Sequence, residues 1–403
     1  MNIEEYIKVK FPKTVRVRVE DEYPWFGLPK PYTVPCADGM FQEMYYWDSY
    51  FTNIGLLLDG DVEQAKNNVE NLAYMAERFG FVPNGSRAEF LNNSQPPFMS
   101  QMAREVYEVT HDKEWLRNIY PAILTEYRFW TEKRGCPNGL CRYDAVEPIS
   151  EEQVSRGSAL LIERLGYTPP CDEYTLARGL FAVGESGWDV NPRMTYRAYD
   201  FNPAELNSLI YSMEKNLAFI TRELDIPEWD GWESAAEARA DACRKYLKGE
   251  DGVFYDYDMK NGCRQEMLSA ASYYPLYFGM ASDKEAFAAR EKLRLLETDW
   301  GTVTTVPFEA RGRFQWGYPN GWPPMQQIIV GGLLRYGYRE DAYRLAEKFV
   351  GLVEKCFEDT GHLWEKYDIV GGTADAVVEY ETPAMLGWTY GVYRSFKKIL
   401  EGK

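Results

Sequence analysis

Histidine is nearly absent from this sequence, since His111 and His362 are the only two among 403 residues. Two imidazoles give little material for a histidine-rich metal site or for an epimerase that uses two catalytic histidines. We therefore expect no metal ion and no other cofactor. Asp and Glu together number 62, so acid–base chemistry would fall to carboxyl groups.

Positive charge is also scarce. Lys and Arg number 45 against 62 acidic residues, which gives a formal net charge of -17. Nucleic acids and anionic membranes bind basic surfaces, so we expect neither as a partner. The sequence also lacks an apolar run that approaches the roughly 20 residues of a membrane helix.

Cysteine occurs seven times, an odd number, and no C-x-x-C pair is present. This favours buried or idle thiols in a reducing compartment over a disulfide framework or a zinc site. The first residues, "MNIEEYIKVKFPKT", contain no apolar stretch typical of a secretion signal. Together these features predict a cytoplasmic location.

Helical periodicity dominates what is present. Apolar residues recur at helical spacing in seven segments: 61–80, 113–135, 202–224, 233–249, 283–298, 339–359 and 385–400. Strand-like alternation is sparse, and residues 252–258 are its best example. The pattern predicts an all-α protein.

Long connections rich in Gly, Pro and Trp separate these helices, and connections of this length usually carry function. They span 24–47, 80–97, 184–203, 300–324 and 360–383. Because long and short connections alternate, we expect a ring of paired helices with the long loops at one end. No change in composition divides the chain, so residues 1–403 are expected to form a single domain.

Five segments combine aromatic, amide and carboxylate side chains: "GMFQEMYYWDSYF" (39–51), "FVPNGSRAEFLNNSQPP" (81–97), "ESGWDVNPRM" (185–194), "QWGYPNGWPP" (315–324) and "LWEKYD" (363–368). Each has a plain structural explanation: Asp48 could cap a helix, and "YPNG" is a good turn. A helix cap needs only one polar group, however, and segment 81–97 holds several. Aromatic rings suit the flat faces of sugars, so the five segments together favour a small carbohydrate as ligand. The oligomeric state stays open.

These segments, with the "PAELN" and "EYETPAMLGWTYG" that accompany them, resemble the trehalase family of inverting glycoside hydrolases. The motifs follow the family's order over roughly residues 30 to 395. The resemblance implies an (α/α)6 toroid with its sugar site at the loop-rich end. It also implies hydrolysis of an α-linked glucoside, trehalose by default. Another small α-glucoside, a glucosylglycerate-type substrate, or a non-catalytic sugar-binding relative are the alternatives.

The resemblance assigns two catalytic carboxyls, Asp189 of "ESGWD" as general acid and Glu365 of "EKYD" as general base. In inverting enzymes such groups lie roughly 6.5–9.5 Å apart, which leaves room for a water molecule. Trp188 would raise the pKa of Asp189, while Lys366 and Tyr367 would keep Glu365 ionised. The substrate-binding residues implied by the resemblance are Phe41, Tyr45, Trp47, Asp48, Asn84, Asn93, Gln95, Glu147, Gly187, Trp188, Gln315, Trp316 and Glu379, the last from a lid loop.

The sequence departs from the family at four positions. Met40, Asn93 and Ala145 stand where the family has arginine, and Gly317 stands where it has aspartate. An arginine fork holds paired hydroxyls rigidly, which neutral side chains cannot reproduce. The departures therefore predict weaker binding of trehalose, unless arginines elsewhere, such as Arg87 or Arg142, compensate for the lost guanidinium groups.

Overall fold

Apolar residues at helical spacing build fourteen α-helices in the part of the chain that the computed structural model describes, which is residues 1–309, 312 and 314–402. In chain order they are α1 (Ile3–Lys10), α2 (Tyr46–Asp59), α3 (Val62–Phe79), α4 (Met99–Thr110), α5 (Lys113–Arg128), α6 (Glu151–Leu165), α7 (Glu173–Glu185), α8 (Ala204–Glu223), α9 (Trp229–Tyr246), α10 (Tyr274–Tyr277), α11 (Asp283–Lys292), α12 (Pro323–Arg335), α13 (Arg339–Thr360) and α14 (Gly387–Glu401). All seven segments with helical spacing contain a helix. Residues 310, 311 and 313 of the expected connection 300–324, and residue 403, lie outside the described residues.

Local chemistry sets where the helices begin and end, as α3 shows. The carboxylate of Asp61 accepts a hydrogen bond from the backbone of Gln64 at the helix start. At the other end Gly80 adopts a left-handed conformation with φ 79°, which glycine allows without a steric cost. The backbone therefore changes direction at Gly80, where the helix ends and the next connection begins.

Six helices contact one another in a closed ring: α2, α4, α8, α10, α12 and α14, with α14 returning to pack on α2. Helices α3, α5, α9 and α13 pack against members of this ring. Nearly all residues in the first part of α8 are buried, whichever side of the helix they lie on. This is expected of a helix that is surrounded by other helices. The prediction of an all-α (α/α)6 toroid is confirmed.

The strands are short and lie in the connections. β1 (Val15–Arg16) pairs with β2 (Tyr32–Thr33), β6 (Glu297–Thr298) with β7 (Gly301–Thr302), and β3 (Phe201–Asn202), β4 (Asp256–Asp258) and β5 (Cys263–Gln265) form one sheet, all antiparallel. The strand expected at 252–258 forms only over its last three residues. β8 (Asn320–Gly321) pairs antiparallel with β9 (Tyr367–Asp368), with Gly321 opposite Tyr367. This pair joins two of the five sequence segments.

Seven helices of the described chain lie outside the seven predicted segments: α1, α2, α4, α6, α7, α10 and α12. Of these, α6 and α7 pack on each other as a hairpin. For α6 the reason lies in the pattern of its residues, because it buries only Gly157, Ser158, Leu161 and Leu165. Two of these four residues are not apolar, so the helical stripe is weak in the sequence. The hairpin nevertheless matters, since both helices contribute to the cavity described below.

Candidate active site

A cavity of about 930 Å³ is lined by residues from all five sequence segments and from α6 and α7. It brings together these predicted site residues: Phe41, Tyr45, Trp47, Asp48, Asn84, Asn93, Gln95, Gly187, Asp189, Trp316 and Glu365. Its volume falls in the range of ordinary small-molecule sites. Segments far apart in the sequence thus converge on one concave surface.

Asp189 lies four residues after the end of α7, on a strained turn. Its φ is 35°, a region that residues other than glycine rarely adopt. The side chain is 27% exposed, and its Oδ2 lies 3.6 Å from Nη1 of Arg164. Burial raises the pKa of Asp189 above its ordinary value, while the charges of Arg164 and Lys366 oppose this shift. A shift in this direction suits a proton donor.

Gly187 makes the turn before Asp189 possible, with φ +71°. A Cβ at this position would lie 2.8 Å from Cε2 of Trp47, whose ring is buried. We expect Gly187→Ala to lower the free energy of unfolding by roughly 2–5 kcal/mol, from left-handed strain and overpacking together. Urea denaturation monitored by circular dichroism measures this loss.

Gly139 provides the matched control, because its φ is +83° and a Cβ there would meet nothing within 4 Å. Gly139→Ala carries the strain without the clash and should cost only about 1–2 kcal/mol. Equal losses in the two variants would show that the contact with Trp47 does not constrain the turn.

Glu365 is buried and held by three contacts. The hydroxyl of Tyr380 donates to Oε1 at 2.8 Å, Nζ of Lys366 forms a short ion pair with Oε2, and the Trp388 ring nitrogen donates to the backbone oxygen of Glu365 at 2.9 Å. Burial raises the pKa of Glu365, and Lys366 and Tyr380 oppose that rise. The hydroxyl of Tyr367, which was expected to keep Glu365 ionised, instead accepts a hydrogen bond from the backbone nitrogen of Trp364.

Asp48 brings a third carboxyl to the same cavity. The sequence allowed Asp48 to be a helix cap, but Tyr45 occupies the N-cap position of α2 and Asp48 lies within the first turn. Burial, and then the negative charges of Glu365 and Asp189, hold the pKa of Asp48 well above its ordinary value. A buried carboxyl that is not the helix cap is available to a polar ligand.

Four tryptophans form a continuous aromatic wall. The rings of Trp316 and Trp322 are stacked with centroids 3.7 Å apart, and Trp47 and Trp188 approach Trp316 at 5.5 and 5.6 Å. Trp47, Trp316 and Trp322 line the cavity. Such flat faces suit the apolar face of a sugar ring.

The amide groups of residues 84–95 are partly used to hold the backbone around the cavity. Asn84 Nδ2 donates to the oxygen of Gly184 at 3.3 Å, and Asn93 Nδ2 donates to Ser94 at 3.0 Å. Gln95 Oε1 accepts from the backbone nitrogen of Trp47 at 3.1 Å. None of them caps α4, which has no side-chain cap. The second polar atom of each amide remains for a ligand within the described cavity wall.

Glu379 lies behind the wall, with a side chain that is 0% exposed and 3.7 Å from Nε of Arg164. Neither of its carboxylate oxygens has a hydrogen-bond partner among the described residues. Burial and the charge of Asp189 raise the pKa of Glu379 to about 8. A neutral carboxyl group is therefore favoured at this point near pH 7.

Three other predicted site residues do not line the cavity. Trp188 and Gln315 are buried behind it, and the backbone oxygen of Gln315 accepts from Nε1 of Trp322 at 2.9 Å. Glu147 is exposed and accepts hydrogen bonds from the hydroxyl of Tyr174 and from the backbone of Ile149. The structure thus does not bring Glu147 to the cavity that holds the other residues.

The four departures from the family pattern have different surroundings. Met40 and Asn93 line the cavity, but Ala145 does not. An aspartate at Gly317 would have no room, because a Cβ there would lie 2.6 Å from Cε1 of Phe308 and 3.1 Å from Cγ of Pro192. Phe308 therefore occupies the space that a side chain at position 317 would need.

The arginines expected to compensate lie elsewhere. Arg87 pairs with Glu43 and Glu89, and Arg142 pairs with Asp144. The arginines that line the cavity are instead Arg156 and Arg164, both on α6. Sequence reasoning missed them because they lie within a weakly patterned helix that no motif marks.

Tyr380 was also missed, although a signal was available. It directly follows Glu379 in the quoted "EYETP", and it donates to Glu365. Its ring packs edge-on against Phe41 with centroids 5.8 Å apart. Its position next to Glu379 in the sequence was the signal that could have indicated Tyr380 as a site residue.

A family model described as trehalase matches residues 2–160 and 169–401. The chain belongs to the trehalase family. It is therefore a glycoside hydrolase, and the predicted family and enzyme class are confirmed. The departures described above mark it as a divergent member.

Curated relatives agree with this assignment. The periplasmic trehalase of Xanthomonas axonopodis pv. citri (strain 306) is 32% identical over 435 residues, an alignment that covers 100% of this chain and 74% of the relative. The periplasmic trehalase of Escherichia coli O1:K1 / APEC is 32% identical over 424 residues, with 97% and 73% covered.

Two solved structures are similar to the fold of this chain. The neutral trehalase Nth1 from Saccharomyces cerevisiae matches with a TM-score of 0.79 at 27% identity, over 92% of this chain and 73% of that one. The GH63 mannosylglycerate hydrolase from Thermus thermophilus matches with a TM-score of 0.65 at 18% identity, over 91% and 96%. The second likeness concerns the fold alone.

The predicted cytoplasmic location is wrong. Both curated relatives above are named periplasmic trehalases, which points to the periplasm instead. The prediction used the polar first residues and the unpaired cysteines, and neither feature identifies a compartment. None of the described helices combines the length and the apolar character needed to cross a membrane.

Proposed function

We propose that this trehalase-family chain hydrolyses trehalose to two molecules of glucose with inversion, using Asp189 as general acid and Glu365 as general base. The observation that carries the proposal is a single aromatic-lined cavity that holds both carboxyls, each with different partners. The trehalases among its relatives support the substrate. Because the helix ring closes only where α14 meets α2, we treat the whole chain as one catalytic domain.

The environments of the two carboxyls suit two roles. The negative charge of Asp189 raises the pKa of Glu365, so a state with one proton between them is favoured over full ionisation. The Lys366 ammonium group contacts Glu365 directly, which favours ionisation of Glu365. Arg164 lies 3.6 Å from Asp189, farther than Lys366 lies from Glu365, so we assign the proton to Asp189, from which it is transferred to the glycosidic oxygen as the bond breaks.

Glu365 then removes a proton from water that attacks the anomeric carbon from the other side of the sugar ring. The Tyr380 hydroxyl occupies Oε1, and Lys366 holds Oε2, so the orientation of the carboxylate is defined before substrate arrives. Preorganised groups of this kind need little rearrangement in the transition state.

Sugar binding is assigned to the remaining polar and aromatic groups of the cavity. Asp48 and the amides of Asn84, Asn93 and Gln95 would bind hydroxyl groups, while Trp316 would contact the apolar face of a ring. Since Arg156 and Arg164 supply cations from α6, the arginine positions that are lost in the sequence do not leave the cavity without guanidinium groups.

A substrate panel tests the proposal. We expect kcat/KM for trehalose to lie in the ordinary range of about 10⁴–10⁸ M⁻¹s⁻¹ and to exceed that of other α-linked disaccharides and of glucosylglycerate. Released glucose is measured for the purified chain and, to exclude a contaminating hydrolase, for Asp189→Asn purified in the same way. A higher kcat/KM for any other panel member would overturn the choice of trehalose.

A further inference from the structure

Arg164 lies in the last turn of α6 and joins three parts of the chain. Its Nη1 is 3.6 Å from Oδ2 of Asp189, and its Nε is 3.7 Å from Oε2 of Glu379. The guanidinium thus lies between the proposed general acid and a buried carboxyl of the segment that follows β9. The Arg164 side chain is only 23% exposed.

Asp189 has few other restraints. Among the described residues, no side chain or backbone group donates a hydrogen bond to its carboxylate, and Arg164 is its ion-pair partner. Its backbone is held at φ 35°, which costs energy and persists only where surrounding contacts enforce it. The direction of the carboxyl group therefore depends on Arg164.

Glu379 depends on the same cation. Both of its oxygens are buried without a hydrogen-bond partner in the described part of the chain, and an unpartnered buried carboxyl is costly. The charge of Lys366 also acts on both carboxyl groups, but its short ion pair is with Glu365. In the described part of the chain, Arg164 is the cation that forms ion pairs with both Asp189 and Glu379. A guanidinium fork can contact two carboxyl groups at once, whether or not each carries a proton, whereas an ammonium group acts as a point charge.

We propose that Arg164 is a positioning residue for catalysis, which holds the Asp189 carboxyl towards the glycosidic oxygen and ties the segment carrying Glu379 to α6. This inference rests on the proposed role of Asp189 as general acid. It goes beyond the sequence motifs, because α6 lies outside all five motif segments.

The charges around Asp189 give the role a measurable signature. The groups that face it are Arg164 on α6, Glu379 and Lys366 on the segments after α13, Glu365, and Asp48 on α2. Arg164 lowers the pKa of both Asp189 and Glu379. Without it the acid would hold its proton to higher pH, so the alkaline limb of the kcat/KM profile should move upwards by about one pH unit.

The test compares two substrates in Arg164→Met, namely trehalose and 2,4-dinitrophenyl α-glucoside, whose leaving group departs without a proton. Because displacement of a catalytic group by about 1 Å can cost about 100-fold, we expect kcat for trehalose to fall by that factor. For the activated glucoside the loss should stay below ~5-fold, since protonation contributes little to its cleavage. Arg164→Lys should keep the alkaline limb in place and lose kcat only for trehalose.

Arg104→Met is the comparison variant, because Arg104 pairs with Glu108 on α4 and does not line the cavity. It should keep the wild-type alkaline limb and the wild-type ratio of the two substrates. Melting temperatures of all variants are recorded, and Arg164→Lys carries the test if Arg164→Met does not fold.

Four results would overturn the proposal. Equal loss for both substrates with an unmoved alkaline limb would indicate a merely structural role, and a rise in KM alone would indicate substrate binding. Asp189→Asn could lose activity on trehalose but keep it on the activated glucoside, while neither Arg164 variant shows this difference. In that case the positioning role fails and the assignment of Asp189 as general acid stands. If Asp189→Asn retains activity on trehalose, the acid assignment fails first and takes the positioning role with it.

Discussion

Replacement of Asp189 by asparagine is expected to lower kcat on trehalose by about 10²–10⁴-fold, the ordinary contribution of general acid–base catalysis. Asparagine keeps the shape of the side chain and its place near Arg164, but it has no acidic proton to transfer. Because 2,4-dinitrophenolate leaves without protonation, activity on the corresponding α-glucoside should fall by less than ~10-fold. Steady-state kinetics on both substrates measures the difference.

Asp375→Asn is the matched control, since Asp375 is exposed and does not line the cavity. It should retain wild-type kcat on both substrates. If Asp189→Asn turned over trehalose at the wild-type rate, Asp189 could not be the general acid. An equal loss on both substrates would assign it a role other than proton donation.

Glu365→Gln should lower turnover of trehalose by about 10²–10⁴-fold or more, because the amide cannot accept a proton from water. An activated leaving group should not rescue this variant, since the attack of water still needs a base. Glutamine can keep the hydrogen bond from Tyr380, so titration calorimetry should still detect trehalose binding. This combination separates loss of chemistry from loss of the site.

The control for this variant is Glu381→Gln, whose exposed side chain lies outside the cavity wall and should leave kcat unchanged. Rescue of Glu365→Gln by the activated glucoside would contradict the role as base. Loss of both binding and activity would show that the buried pair with Lys366 serves mainly to maintain the structure of the cavity.

Much of the architecture was predictable because helical spacing and loop length are local properties of the sequence. The segments around α3, α8 and α13 bury one apolar stripe or more, and such stripes are visible without a structure. The convergence of Asp48, Asp189 and Glu365 was predictable only through the family resemblance. No local pattern tells which loops meet in space.

The rest depended on contacts across the fold. Arg164 belongs to a helix with a weak apolar stripe, and its meaning comes from Asp189 and Glu379, which are distant in sequence. The family resemblance implied a substrate-binding role for Glu147, and the structure places this residue on the surface. Charge and periodicity cannot separate these cases, because both arginines and glutamates are common on exposed helices and loops.

The stereochemistry of hydrolysis tests the central claim most directly. Proton NMR of the wild-type chain acting on trehalose should show α- and β-glucose appearing in equal amounts before mutarotation, because the leaving sugar keeps its configuration while water enters the opposite face of the other. Initial release of α-glucose alone would mean retention, and would contradict a mechanism in which Glu365 activates water while Asp189 protonates the leaving oxygen.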